Sequence, residues 1–299
     1  MKKRRFGKTE LHVTELGYGA MELRKVGEAQ AQQLLNGVLD AGINFIDTSP
    51  DYGTSEELIG KYICHRRKEY FLASKCGCNI PSDASDDRGH IWTRDQIVHN
   101  IEHSLKLLRT DYLDCWQIHS ATAEEVKNGD LVEAMHDVQR QGKVRFIGYT
   151  ATGRTMFGFP DFVDLLSWDV FDFFQLPYGI LARIHEHSIA EAAQKDAGII
   201  LRGTVKPGYA RVYEKGEWEA LWEAVNLDEL LKPHEDRYRF MLRFAITHPD
   251  YSTAIIGTRS LDHLNENIRT FALGPLSDEI YQEARKRLDA AGITPRPLD

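Results

Sequence analysis

The chain alternates short apolar runs of β type with longer segments in which apolar residues recur at helical spacing. Leu34, Leu35 and Val38, for example, would lie on one face of a helix. The β-type runs are residues 16–19, 44–47, 70–74, 112–119, 144–149, 171–176, 198–201 and 254–257. Strands that alternate with helices form parallel sheets, and this number of units favours a closed (β/α)8 barrel, the TIM barrel of the α/β class.

Segments outside these units predict additions to the barrel. Residues 5–13, which turn at positions 7–9, predict an N-terminal β-hairpin. An insertion at residues 206–233 follows the seventh strand and predicts an extra helix, and a further helix is expected at the C-terminus. Because no low-complexity linker interrupts the pattern, residues 1–299 are predicted to form a single barrel domain. A doubly wound sheet is the weaker alternative, since no Gly-x-Gly-x-x-Gly motif follows the first strand.

Two predicted helix starts carry capping signals. Thr54 with Glu57, and Thr93 with Gln96, have the spacing of a capping box. In such a box the threonine hydroxyl accepts a hydrogen bond from a free backbone N–H group of the first helical turn. We therefore expect helices to begin directly after Thr54 and Thr93.

Charge and composition narrow the function. Lys and Arg number 37 against 45 Asp and Glu, so the net charge of −8 disfavours binding to nucleic acid. The N-terminal segment is basic but lacks the apolar stretch of a signal peptide, and no later run is long enough to span a bilayer. The 4 cysteines are irregularly spaced, which is typical of reduced thiols. These features predict a cytoplasmic protein for which nucleic acid is not a main partner.

Polar residues terminate three consecutive predicted strands. Asp47 ends the second strand, Lys75 follows the third and His119 ends the fourth, while Tyr52 lies in the loop after Asp47. Each alone has an ordinary structural interpretation, as a helix cap, a solvated side chain, a core histidine or a packing tyrosine. The active site of a barrel lies at the C-terminal ends of its strands, so we expect these four side chains to meet there.

Their chemistry favours proton transfer to a substrate oxygen. A free phenol titrates near pH ~10, and an ammonium group beside it favours the phenolate and lowers its pKa. We expect Lys75 to act on Tyr52 in this way, with Asp47 holding Lys75 by a charge-assisted hydrogen bond. His119 would donate a second hydrogen bond to the same oxygen.

These four residues, in this order and on these strands, resemble the Asp-Tyr-Lys-His tetrad of the aldo-keto reductases. The segments IDTSPDYGTSEELIG and GKVRFIGYT resemble signature segments of that family. The resemblance implies a barrel that binds NADPH or NADP+ without a Rossmann fold. It also implies reduction of an aldehyde or ketone to an alcohol, or the reverse, with hydride from the nicotinamide and a proton from Tyr52.

The resemblance also implies a set of cofactor contacts after the last strands. The loop after the eighth strand and the helix that follows it would hold the adenosine end. There, Gly257 would begin the phosphate-binding loop. Around a 2′-phosphate would lie Thr258, Arg259, Ser260 and His263, and Glu266 and Asn267 would contact the adenine.

The nicotinamide end departs from the family pattern. Thr150 and Gln175 would hold the carboxamide, but Ala151 stands where many members carry an Asn. No stacking Tyr follows the seventh strand, so an aliphatic side chain or the plane of Arg202 would cover the ring. Alternatively, Arg202 or Lys206 would meet the pyrophosphate or an acidic substrate.

Two alternatives remain from other classes. One is a cofactor-binding regulatory barrel with little turnover. The other is a metal-dependent barrel hydrolase, suggested by Cys76, Cys78 and the segment His185-Glu186-His187. Cys-x-Cys is not the usual Cys-x-x-Cys clip, and the two histidines lack the i, i+4 spacing of a helical metal site, so no metal site is predicted. The identity of the substrate and the oligomeric state are not predicted from these residues.

Overall fold

The computed structural model describes residues 1–80, 89–151, 159–205 and 217–298, with the side chains of residues 159 and 160 left out. Part of the loop at 79–92 and of the insertion at 206–233 therefore lies outside the described residues. Among the helices that are described, none has the length and apolar character needed to cross a membrane.

The chain begins with an antiparallel hairpin of strands β1 (Lys3–Arg5) and β2 (His12–Thr14), joined through a 3-10 turn at Gly7–Thr9. Parallel strands in chain order then form a closed barrel of eight. These are β3 (Leu16–Gly19), β4 (Phe45–Asp47), β5 (Phe71–Cys76), β6 (Leu113–His119), β7 (Val144–Thr150), β8 (Phe173–Pro177), β9 (Gly198–Arg202) and β10 (Thr253–Ile256).

Each barrel strand pairs with its neighbour in the sequence, and β10 closes the barrel by pairing with β3 through Ala254 and Leu16. The predicted (β/α)8 barrel is confirmed, and the doubly wound alternative is wrong because an open sheet has two unpaired edges. Each predicted run agrees with its strand to within two residues at either end.

Helices surround the barrel. They are α1 (Glu28–Asp40), α2 (Ser55–Ile63), α3 (Arg94–Leu108), α4 (Ala123–Asn128), α5 (Leu131–Arg140), α6 (Phe159–Ser167), α7 (Glu186–Gln194), α8 (Glu217–Ala224), α9 (Arg237–Thr247), α10 (Leu261–Leu273) and α11 (Asp278–Ala290). Short 3-10 segments lie at Ala20–Lys25, Cys64–Glu69 and Leu227–Leu230. The extra helices predicted after the seventh barrel strand and at the C-terminus are α8 and α11.

The hairpin closes the N-terminal end of the barrel. Phe6, between β1 and β2, is fully buried and packs on Phe45 and Phe173, with ring centroids 5.7 and 5.4 Å away. Both partners are the first residues of their strands. This end is therefore filled with apolar side chains, and the C-terminal ends of the strands are left for a site.

Candidate active site

Three adjacent strands position the predicted tetrad at the C-terminal end of the barrel. Asp47 is the last residue of β4, Lys75 lies one residue before the end of β5, and His119 ends β6. The strands are direct neighbours, since β5 pairs with both β4 and β6. All three side chains are buried, with His119 retaining 7% exposure.

Asp47 and Lys75 form a buried ion pair. Lys75 Nζ donates to Asp47 Oδ2 and to the carbonyl oxygen of Thr48, each at 2.7 Å. The other carboxylate oxygen of Asp47 accepts from Gln117 Nε2 at 2.7 Å and from Gln175 Nε2 at 2.8 Å. Because Lys75 Nζ and both carboxylate oxygens of Asp47 have partners, the ammonium is held in one place, as predicted for the Asp47–Lys75 pair.

Tyr52 lies in the loop between β4 and α2, and the centroid of its ring is 4.8 Å from Lys75 Nζ. Burial raises the pKa of Tyr52 well above its ordinary value, and the Asp47 and Asp51 carboxylates raise it further, while Arg202 opposes them. The expected net lowering of this pKa is therefore wrong, because burial and the two acids outweigh the neighbouring cations. The phenol is fully protonated at neutral pH.

His119 is neutral and is held through its Nδ1 atom. Nδ1 lies 3.0 Å from His90 Nε2, 3.3 Å from Cys78 Sγ and 3.6 Å from Asp51 Oδ2. Burial lowers the pKa of His119 to about 3, although Asp51 acts in the opposite direction. Its Nε2 makes no hydrogen bond within the described part of the chain.

Sequence reasoning missed most of this surrounding group. Asp51 was assigned no role, and Cys78 was considered only with Cys76 for the metal hydrolase. His90 carried no sequence signal, since it reaches His119 only because the chain folds back and forms an antiparallel bridge between Cys78 and His90.

The residues that suggested a metal hydrolase do not assemble into one cluster. Cys76 donates from Sγ to the carbonyl of Gln117. His185 stacks edge-on against Phe162 and contacts Ser188. Burial raises the pKa of the Cys76 and Cys78 thiols well above their ordinary value, so neither is a reactive thiolate.

The residues predicted to hold the carboxamide are linked to the tetrad. Thr150 Oγ1 donates to Gln175 Oε1 at 3.2 Å, and Gln175 in turn donates to Asp47. Arg202, the last residue of β9, is buried and donates to the carbonyl of Ala151. Burial lowers the pKa of Arg202 to about 10, and nearby Tyr52 and Asp47 counteract this effect. Arg202 therefore remains a cation at neutral pH.

The N-terminus of α10 carries the residues predicted to hold the phosphate end of a nucleotide. Ser260 caps the helix, its Oγ accepting from Asp262 N at 3.1 Å, and the adjoining Thr258 Oγ1 accepts from Ser260 N at 3.1 Å. The Arg259 side chain is 58% exposed, and Gly257 is also exposed. A helix N-terminus with a guanidinium beside it favours an anionic group.

Further along α10, the predicted adenosine contacts differ in exposure. His263 and Glu266 are exposed. Asn267 is buried, and its Oδ1 accepts from the Tyr238 hydroxyl at 2.9 Å. One face of α10 therefore combines two exposed polar side chains with one fixed amide.

Comparison with known proteins gives the class of this barrel as oxidoreductase. The model of the aldo/keto reductase family matches residues 15–289. The uncharacterized oxidoreductase YqkF of Bacillus subtilis is 26% identical over 296 residues, with 93% of this chain and 94% of that protein covered. L-galactose dehydrogenase of Arabidopsis thaliana is 25% identical over 290 residues, with 89% and 86% covered.

A solved structure has the same fold over nearly its whole length. The holo form of aldo-keto reductase AKR11C1 from Bacillus halodurans superposes with a TM-score of 0.83 at 26% identity, and 96% of each chain is covered. The present chain belongs to the aldo/keto reductase family.

Proposed function

We propose that this protein is an NADP(H)-dependent reductase that converts an aldehyde or ketone into an alcohol, or runs in the reverse direction. The observation that carries the proposal is the buried Asp47–Lys75 pair, which lies against the Tyr52 ring at the same strand ends as His119. Membership of an oxidoreductase family supports it. A related structure in a holo form is consistent with a bound cofactor.

The substrate oxygen would lie between the Tyr52 hydroxyl and His119 Nε2. We assign His119 Nδ1 as the acceptor in its contacts with His90 Nε2 and Cys78 Sγ, so that the proton of the neutral imidazole lies on Nε2 and is donated to the oxygen. When bound, the nicotinamide supplies the hydride to the carbonyl carbon. Negative charge then builds on the oxygen, which both donors stabilise.

The raised pKa of Tyr52 is compatible with a role as proton donor. The phenol is protonated before reaction, and the alkoxide formed by reduction is more basic than a phenolate, so proton transfer from Tyr52 is favourable. The phenolate left behind lies near Lys75 and the Arg202 cation, both of which stabilise it. Asp47 acts through Lys75, by fixing the position of the ammonium group.

The cofactor would extend from the tetrad to the N-terminus of α10. Thr150 and Gln175 would hold the carboxamide, and Arg202 would cover the ring or meet the pyrophosphate. At the other end, the 2′-phosphate would lie among Thr258, Arg259, Ser260 and His263, beside the loop that begins at Gly257, with Glu266 and Asn267 on the adenine. The capped helix terminus and the exposed Arg259 support this direction.

Two assays on the purified protein test the proposal. The first is a fluorescence titration with NADPH and NADH. The second follows NADPH oxidation with a panel of aldehydes and ketones, and NADP+ reduction with sugars that include L-galactose, because one relative is named for that substrate. Tyr52→Phe is the matched control, since it removes only the hydroxyl.

We expect the wild-type protein to bind NADPH tightly and to turn over at least one substrate. Tyr52→Phe should abolish this turnover. Binding without turnover on any substrate would favour the regulatory barrel. Absence of cofactor binding would contradict the proposal.

A further inference from the structure

Four potential metal ligands meet beside the tetrad. They are the carboxylate of Asp51, the thiol of Cys78 and the imidazoles of His90 and His119, and their donor atoms all lie within 4.8 Å of one another. Of the four, His119 has a role in the proposed reaction, and it would use Nε2 there. The cluster contains its other ring nitrogen, Nδ1.

The distances from His119 Nδ1 to the other three ligand atoms are close to those in a tetrahedral metal site. Bonds of about 2.0–2.3 Å from Zn²⁺ to N, O and S ligands place neighbouring ligand atoms roughly 3.3–3.7 Å apart. From His119 Nδ1, the distances are 3.0 Å to His90 Nε2, 3.3 Å to Cys78 Sγ and 3.6 Å to Asp51 Oδ2. Small side-chain movements would admit an ion.

Backbone pairing fixes the two ligands that lie on the loop after β5. Cys78 and His90 face each other in an antiparallel bridge, which is flanked by backbone hydrogen bonds from Asn79 N to Gly89 O at 2.9 Å and from Ile91 N to Gly77 O at 2.8 Å. The Cys78 carbonyl also accepts from two side chains of α3, Gln96 at 2.6 Å and Asn100 at 2.9 Å.

Contacts outside the cluster orient the remaining ligands. The Trp92 ring stacks on His90, with centroids 5.5 Å apart, and Trp92 Nε1 donates to the backbone carbonyl of His119 at 3.3 Å. Ser49 Oγ lies 3.4 Å from Cys78 Sγ. Such outer contacts hold the ligands of metal sites in fixed directions.

One carboxylate oxygen of Asp51 lacks a hydrogen-bond partner within the described residues. This oxygen, Oδ1, is buried. A buried carboxylate oxygen is costly unless it is paired or bound to a cation. This atom is a second indication, independent of the ligand spacing, that the cluster accepts a positive ion.

We propose that Asp51, Cys78, His90 and His119 form a tetrahedral Zn²⁺ site that uses Oδ of Asp51, Sγ of Cys78, Nε2 of His90 and Nδ1 of His119. The mixture of thiolate, imidazole and carboxylate selects Zn²⁺ over Mg²⁺ or Ca²⁺. The Cys78 thiol proton is displaced on binding. The thiolate and the carboxylate then balance the charge of the ion, as a buried position requires.

The site is structural rather than hydrolytic. Four protein ligands complete the tetrahedron, whereas a catalytic zinc keeps one position open for water. The ion ties the loop that carries Cys78 and His90 to the loop that carries Asp51 and Tyr52. It leaves His119 Nε2 available for the proposed reaction.

Cobalt substitution tests the site without cofactor or substrate, so its failure is separate from failure of the proposed reductase. Protein stripped with chelator is titrated with Co²⁺, and then with Zn²⁺ as competitor. We expect one Co²⁺ per chain, with the intense visible bands of tetrahedral cobalt and a thiolate-to-cobalt charge-transfer band. Cys78→Ser should abolish the charge-transfer band and weaken Zn²⁺ binding by at least about 100-fold. Cys76→Ser, two residues away and outside the cluster, should retain the charge-transfer band and the wild-type affinity for Zn²⁺.

Two outcomes would overturn the site: wild type that binds Co²⁺ no better than Cys78→Ser, or spectra without a sulfur ligand. X-ray absorption of the Zn²⁺-loaded wild type tests without a variant whether Cys78 binds the ion, because it counts the sulfur ligands directly. One sulfur with three nitrogen or oxygen ligands supports the site, and a shell of oxygen and nitrogen alone contradicts it.

Discussion

At the scale of single residues, Arg259 is the side chain that we expect to separate the two nicotinamide cofactors. It is mostly exposed, and its Nε lies 3.8 Å from Glu22 Oε2, too far for a strong pair. A charge-assisted hydrogen bond contributes about 1.5–3 kcal/mol, so Arg259→Ala should weaken NADPH binding about tenfold or more. NADH, which lacks the 2′-phosphate, should bind within about twofold of wild type in the same fluorescence titration.

Arg269→Ala is the control for this variant. Arg269 is an exposed arginine further along the same helix. The Arg269→Ala variant should bind NADPH and NADH with the same affinity as wild type. Equal weakening of NADPH and NADH by Arg259→Ala would contradict the assignment.

Glu56 gives the protein a pH-dependent stability. Its side chain is fully buried, and Ser74 Oγ donates to Oε1 at 2.6 Å. Burial raises the pKa of Glu56 from 4.5 to about 7, although the hydrogen bond from Ser74 acts in the opposite direction. The folded state therefore keeps a proton that the unfolded state has released, and the free energy of unfolding falls as pH rises from 4.5 to about 7.

We predict that Glu56→Gln removes this fall, because the amide does not ionise. The variant should match wild type near pH ~4 and exceed it at pH ~8 by up to about 3 kcal/mol, the free energy that corresponds to the raised pKa. Urea unfolding at both pH values measures it. Glu57→Gln, on the exposed side of the same helix, should change neither value appreciably. An equal stabilisation by Glu56→Gln at both pH values would contradict the prediction.

The residues that end strands could be predicted from the sequence, and those that lie on folded-back loops could not. Asp47, Lys75 and His119 were found because parallel strands place their ends together. His90 joins His119 only through backbone pairing of the loop after β5. The direction of the Tyr52 pKa also needed the structure, since it depends on the balance between one cation, two carboxylates and burial.

At the scale of elements, the contact between α2 and α3 depends on the absence of a side chain at Gly60. A Cβ atom at this position would overlap the backbone carbonyl oxygen of Leu107 and approach Leu108. Glycine in a helix interior is ordinarily less stable than alanine by about 0.5–1 kcal/mol. Gly60→Ala should instead destabilise the protein by roughly 1–3 kcal/mol, because the backbone of α3 must move.

Thermal or urea unfolding measures this effect. Gly27→Ala is the control, since no atom lies within 4 Å of its Cβ position. Gly27→Ala should lower the free energy of unfolding by less than about 1 kcal/mol. A stabilising Gly60→Ala would contradict the packing described here.

The helix caps illustrate what local sequence can predict. Thr93 caps α3 as predicted, with its side chain accepting from Gln96 N at 3.3 Å, but Gln96 does not complete the predicted box because its side chain donates to the Cys78 carbonyl. The predicted capping box at Thr54 is wrong, although α2 does begin directly after it. Thr54 has a ψ of 5°, and the backbone N–H of Ser55 already donates to the carbonyl of Tyr52. The start of α2 is therefore bonded to the turn that contains Tyr52 and not to the Thr54 side chain.

At the scale of the whole molecule, the apolar cluster around Phe6 and the tetrad lie at opposite ends of the barrel. Phe6 fills the N-terminal end against Phe45 and Phe173, far from the strand ends that carry the tetrad. We predict that Phe6→Ala lowers the free energy of unfolding by about 3–5 kcal/mol. Where the variant remains folded, kcat/KM should stay within about threefold of wild type.

Unfolding curves and steady-state rates measured below the melting temperature check both parts. Leu273→Ala, at an apolar side chain that is 61% exposed, should change neither quantity. A loss of kcat/KM in folded Phe6→Ala larger than tenfold would contradict the separation of the two ends.

The central claim is that this barrel moves a hydride from a nicotinamide to a carbonyl carbon while Tyr52 protonates the oxygen. The most direct test is a single turnover with NADPH that carries deuterium at both C4 positions and a carbonyl substrate that the panel identifies. We predict deuterium on the carbinol carbon of the alcohol, and a rate constant that falls at least about 100-fold in Tyr52→Phe while NADPH affinity is retained. An alcohol without deuterium, or an undiminished rate in Tyr52→Phe, would contradict the claim.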